Sequence, residues 1–112
     1  MKKKEVRKLK EATLKVAECG SGYKFQGGRF IHISPDSGEE FRENFLIPFL
    51  KKNKSDCRLC VDFAGTVVFT HGFLEESFGG AIRLGFETVK KIQFKNIPPE
   101  IKKELLRLIK EK

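Results

Sequence analysis

The stretch that most limits what this chain can become runs from Cys60 to Gly80, CVDFAGTVVFTHGFLEESFGG. It begins inside a strand at about Arg58 to Phe63, with apolar residues in both phases, which predicts cover on both faces. A turn of small residues, Ala64-Gly65-Thr66, and a short apolar run, Val67-Val68-Phe69, come next. A helix then starts at Thr70-His71-Gly72 and reaches about Leu84. Leu74, Phe78, Ala81 and Gly85 form its inner line, flanked by Phe73, Ser77 and Ile82, while Glu75, Glu76 and Arg83 are expected to face outward. A strand feeding a helix through a glycine turn is the signature of an α/β unit, and partners or ligands tend to meet such sheets at the C-terminal ends of strands. Gly79-Gly80 in mid-helix costs up to about 1 kcal/mol per glycine relative to alanine, so close approach of another backbone is expected there.

The rest of the chain extends this unit. Residues 1–11 form a basic lead-in, and the domain proper is placed at 12–112. Residues 13–19 alternate in hydrophobicity as a strand with one wet face. A glycine-rich connection leads to a second short strand at Phe30-Ile31-His32-Ile33, and a hairpin between the two is expected. Ser37 with Glu40 reads as a capping box, followed by Phe41, Phe45 and Phe49 on one stripe. Pro48 should kink that helix or restart its last turn. After the central strand and its helix, residues 90–94 alternate as a final strand, and Ile101, Leu105, Leu108 and Ile109 line a last helix that opens after Pro98-Pro99. The order is β-β-α-β-α-β-α. It predicts a single α/β domain with a mixed, mostly parallel sheet of about four strands, an antiparallel edge hairpin, and helices largely on one side.

Composition narrows the function. At 112 residues the chain is one domain with one modest core. No apolar run approaches the ~18 residues that span a bilayer, and no apolar segment follows the basic start, so a cytoplasmic protein is expected. Cys57 and Cys60 are three apart in or beside a strand and point to opposite faces; with Cys19 they read as inert thiols, with no metal site and no cofactor. The net charge of +8 raises nucleic-acid binding as an alternative. The positive charges are dispersed, however, and no aromatic–basic interleaving or helix-turn-helix pattern accompanies them.

In order, Gly27-Gly28-Arg29, then Ser37-Gly38-Glu39-Glu40-Phe41-Arg42-Glu43, then Pro48, then Phe73-Leu74-Glu75-Glu76-Ser77-Phe78-Gly79-Gly80 form a specific set. Over about residues 13–110 the chain resembles the bacterial STAS-like domains of unknown function, relatives of anti-sigma-factor antagonists. The resemblance implies a STAS-like fold and a non-enzymatic regulatory module that works by protein contact, with a histidine-kinase-like ATPase as the implied partner. In antagonists of this kind a Ser or Thr at the start of the helix after the central strand takes a phosphate, which a helix N-terminus stabilises. This chain departs from the family at His71-Gly72, where two serines are common, and that departure argues against a phosphate switch.

The candidate site residues follow from the same segment. Glu75 and Glu76, on the helix that serves antagonists for recognition, are the expected partner contacts, with Thr70, His71 and Gly72. Thr70 is the remaining candidate phosphoacceptor, or simply the helix N-cap. His71 either titrates or accepts phosphate, or is a surface histidine at a helix end. Asp62 either holds a ligand at the strand end or fixes the turn by accepting from amides near Gly65 and Thr66. Arg29 pairs with Glu39 or Glu40, or holds a partner. No catalytic constellation is visible, and an enzyme or ligand-binder using Asp62, Thr70 and His71 is the least supported reading. A monomer or weak homodimer is expected.

Overall fold

A computed structural model describes residues 10–53 and 57–112. The expected lead-in at 1–11 lies outside the described residues up to position 9, and Lys10 and Glu11 already belong to the first strand. Three strands, β1 (Lys10–Lys15), β2 (Cys57–Asp62) and β3 (Gln93–Lys95), form one sheet in the order β1-β2-β3. Both pairings are parallel, with Leu14 beside Val61 and Val61 beside Phe94. Helix α1 covers residues 38–52, α2 residues 71–83 and α3 Pro99–Lys110.

The small α/β architecture is as expected; the edge hairpin is not. Residues 30–33 are not a strand. The Phe30 carbonyl accepts from the amides of both Ile33 and Ser34, which coils the segment into a turn. The preceding glycines close that loop: Gly27 N donates to Asp36 O at 2.8 Å and Gly28 N to Ser34 Oγ at 2.9 Å. A Cβ on Gly27 would lie 2.0 Å from Pro35 O, so only glycine fits. The sheet is therefore three-stranded and wholly parallel.

The expected strand at 13–19 is shifted towards the N-terminus. The β1–β2 ladder stops at Lys15–Asp62, and Val16–Glu18 turns as a 3-10 segment that carries Val16 into the core. The last strand is likewise later and shorter than expected, because Glu87–Lys91 forms a 3-10 turn that buries Val89. One face of the sheet bears Leu59, Val61 and Phe94 and meets the helices. The opposite face bears Glu11, Thr13, Lys15, Arg58, Gln93 and Lys95, all exposed, with only Cys60 fully buried among them. Among the described residues, the two-sided cover expected for β2 is thus not provided by helices.

Each of α1 and α2 contains a five-residue π segment, Arg42–Leu46 and Glu75–Gly79 respectively. In α1 the widening precedes Pro48, whose nitrogen has no proton to give the carbonyl four residues back. Six buried aromatic rings, Tyr23, Phe41, Phe63, Phe73, Phe78 and Phe94, fill the space between sheet and helices. Phe41 contacts Tyr23, Phe73 and Phe78, and Phe78 meets Phe63 and Phe94 edge-on. Helix α1 crosses α2 so closely that a Cβ on Gly38 would sit 2.5 Å from Phe73 O. The backbone approach expected at Gly79-Gly80 occurs here instead.

Candidate functional site

The turn between β2 and α2 begins at Asp62. Its Oδ1 accepts from Ala64 N at 2.9 Å and from Asn96 Nδ2 at 2.7 Å. The Asn96 bond, seconded by the Ala64 amide, holds the Asp62 carboxyl below its usual range. Asp62 therefore fixes the turn, through Ala64 and Asn96 rather than Gly65 and Thr66. The chain then runs beside the 23–36 loop: Val67 and Val68 donate to Lys24 O, Gln26 N donates to Val68 O, and Phe25 and Val68 form a parallel bridge.

Thr70 closes this double loop onto the helix. Its hydroxyl accepts from Phe73 N at 3.2 Å, as an N-cap should, and donates to Gly27 O at 2.7 Å. Its own amide donates to Gln26 Oε1 at 3.0 Å. Both capacities of the hydroxyl are in use. His71 projects outward, half exposed, with Nδ1 2.7 Å from Glu104 Oε2 on α3. Gly72 packs under Arg29, whose Cγ would lie 3.2 Å from a Cβ there.

Glu75 and Glu76 do not form an outer acidic face. They are 8% and 9% exposed and lie between α2 and its neighbours, where the π segment shifts the helical phase. Glu75 pairs with Arg29, Arg83 and, at 2.7 Å, Lys112. Arg42 Nη1 donates to Glu76 Oε2 at 2.7 Å and to Glu76 O at 2.9 Å. Arg29 and Arg83 stand 3.8 and 3.6 Å from Glu76 Oε1. Burial alone would raise the Glu75 pKa; the bonds from Arg83, Lys112 and Arg29 outweigh it and bring it down to about 2.

Arg29 accordingly pairs with Glu75, not with Glu39 or Glu40. Glu39 Oε1 accepts from Ile31 N, and Glu40 Oε1 accepts from the Tyr23 hydroxyl at 2.9 Å. Ser37 Oγ caps α1 by accepting from Glu40 N, so only half of the expected capping box forms. Burial, with the Glu40 carboxylate beside it, holds the Tyr23 phenol protonated far above its usual range.

The three motif segments thus meet in one place. Arg29 comes from the first, Arg42 from the second, and Glu75, Glu76 and the glycines from the third. A Cβ on Gly80 would come 2.6 Å from Arg42 Nη1, and one on Gly79 would come 2.9 Å from Glu75 Oε2. The paired glycines make room for charged side chains. Sequence reasoning missed Arg42 and Arg83 as members of this cluster; the signal was present in a pair of acids flanked by Gly-Gly on a face otherwise buried.

Among the described residues, no group of three His, Cys, Asp or Glu side chains could hold a metal ion, and no helix is long and apolar enough to cross a membrane. Cys19, Cys57 and Cys60 are free thiols. No curated protein and no solved structure matches the chain. A family model, the STAS-like domain of unknown function, matches residues 37–102, more than half of the sequence; two of the three motif segments fall inside it and Gly27-Gly28-Arg29 precedes it. The chain belongs to this family of STAS-like domains of unknown function.

Proposed function

We propose that the domain is a non-enzymatic docking module of the anti-sigma-factor-antagonist kind, and that its partner seats on the double loop at the head of α2. One observation carries the reading. Of the eight large apolar side chains left exposed among the described residues, six lie on the two tied loops: Phe25, Phe30, Ile31, Ile33, Val67 and Val68. Exposed apolar residues concentrated in one region of a small domain mark an interaction surface. Their loops are tied to Thr70 through Gln26 and Gly27 and to Gly72 through Arg29, the segment through which antagonists of this kind meet an ATPase of the histidine-kinase type.

In this reading Glu75 and Glu76 support the surface from within instead of touching the partner. A phosphate switch is not part of it, because the Thr70 hydroxyl is bonded on both sides and His71-Gly72 supply no other. The test is co-purification on the full chain from its native host, beside the variants Ile33→Asp and Val67→Asp. Both side chains are exposed, so the variants should keep the parent melting temperature. The expected result is recovery of a histidine-kinase-like ATPase that either substitution removes. Capture that both variants leave intact, or recovery only of nucleic acid that elutes with moderate salt, overturns the reading.

A further inference from the structure

We infer that β1 is a self-complementary edge through which two copies of this chain pair antiparallel, with Thr13 on the two-fold axis. The sheet order leaves β1 at an edge, with no described strand on its outer side. The strand is six residues long and largely exposed, far longer than the opposite edge, the three-residue β3. A long, exposed edge strand is a template for another strand.

The direction of its free backbone groups is fixed by the ladder. Phe63 N donates to Lys95 O, so the odd-numbered residues of β2 turn their amides and carbonyls towards β3 and the even-numbered ones turn towards β1. With Lys15 beside Asp62 and Thr13 beside Cys60, the parallel bonding pattern then turns Ala12 and Leu14 of β1 inward to β2. Glu11, Thr13 and Lys15 are left with amide and carbonyl pointing off the edge. Their side chains share the wet face of the sheet; those of Ala12 and Leu14 share the apolar face.

Antiparallel partners exchange paired bonds only where outward-pointing residues oppose each other, so Glu11, Thr13 and Lys15 must oppose one another. Centring the axis on Glu11 or on Lys15 sets like charges face to face, which destabilises a sheet, and centring it on Ala12 or Leu14 sets Thr13 against a charge and pairs no opposite charges. Centring it on Thr13 sets Glu11 opposite Lys15 of the second copy, and Lys15 opposite Glu11, with the two threonines side by side. The same register lays Ala12 against Leu14 of the other copy on the apolar face, continuing the core stripe across the junction. Among the described residues Glu11 is approached by Lys95 at 3.8 Å, and both side chains are exposed, a contact long enough to yield to a lysine of a second copy. The hydrogen-bond parity, the charges and the apolar pair agree on one register and one occupant.

The experiment is sedimentation velocity of the full chain over a wide concentration range. Thr13→Pro removes an amide that points off the edge and leaves the β1–β2 ladder its donors, so circular dichroism should stay that of the parent. The parent should show a concentration-dependent dimer that Thr13→Pro abolishes. Glu11→Lys and Lys15→Glu should each weaken the dimer by about ten-fold or more, and the two together should restore it. A parent that stays monomeric at millimolar concentration, a dimer that survives Thr13→Pro with its fold intact, or a charge swap that restores nothing would each overturn the assignment. None of these outcomes depends on the docking surface at the head of α2.

Discussion

Arg42 clamps Glu76 twice, once on the carboxylate at 2.7 Å and once on the main-chain carbonyl at 2.9 Å, across the contact between two π segments. Both side chains are 11% exposed, so neither charge has water to fall back on. Burial works against the Arg42 charge, and the carboxylates of Glu43 and Glu76 more than offset it. A carbonyl in a π segment is displaced from regular helical bonding, and a guanidinium is well shaped to take it up.

Truncation of one partner should be costly for that reason. Arg42→Met leaves Glu76 buried beside only the longer contacts from Arg29 and Arg83, and about 3 kcal/mol of stability should be lost. The double variant Arg42→Met with Glu76→Leu removes both charges and should recover much of that loss. Urea denaturation of the two variants decides it. A double variant no more stable than the single one would show that the pair is not the source of the effect.

The glycines of the motifs divide into two kinds. At Gly38 an added Cβ meets the Phe73 carbonyl at 2.5 Å, and backbone cannot step aside. At Gly80 it meets the tip of Arg42, which can move at the expense of its bond to Glu76. Helix propensity alone would favour alanine at either position by up to about 1 kcal/mol. Gly38→Ala should therefore cost several kcal/mol or fail to fold, while Gly80→Ala should cost about 1–2 kcal/mol. Thermal melts of the two variants, side by side, are the measurement. Equal stabilities would mean that the helix crossing is looser than described.

What could be read from the residues alone follows from which forces are local. Ser37 and Thr70 were legible as caps because capping is settled within four residues, and both accept the bonds expected of them. The stripe of α3 was legible because hydrophobic period needs no partner, and Leu105, Leu108 and Ile109 are buried as that period requires. Glu75 and Glu76 were misplaced because their environment is built by cations 34 to 46 residues earlier in the chain, at Arg42 and Arg29. The π segment also breaks the 3.6-residue phase on which an outward assignment rests. Phe30-Ile31-His32-Ile33 misled for the opposite reason. Its apolar character marks an exposed loop, and no strand partner exists for it among the described residues.

Acid should act through Glu75. Its carboxyl titrates at about 2 in the folded protein against an ordinary 4.5. The folded value is the lower one, so the stabilisation is complete above the unfolded value and is lost as pH falls from about 4.5 towards 2. The difference corresponds to something on the order of 3 kcal/mol, since one unit is 1.36 kcal/mol. The parent should hold a flat melting temperature from neutral pH down to about 5 and then decline. Glu75→Gln should be less stable at neutral pH and should decline less over the same interval. A variant whose acid decline matched the parent's would assign the sensitivity to other carboxylates.

Thr70 separates the helix cap from a phosphorylation site. Its hydroxyl is both donor, to Gly27 O, and acceptor, from Phe73 N. Serine can make both bonds and alanine neither. Thr70→Ser should lie within about 0.5 kcal/mol of the parent, and Thr70→Ala should lose about 1–2 kcal/mol. Thr70→Glu places a carboxylate at the helix start, where the dipole favours it, but gives up the donor to Gly27. It should therefore rank between serine and alanine and should loosen the double loop, read as faster amide exchange at Gln26 and Val68. If Thr70→Glu leaves exchange unchanged in both loops, the hydroxyl is not what ties the glycine loop to α2, and the cap alone is its role.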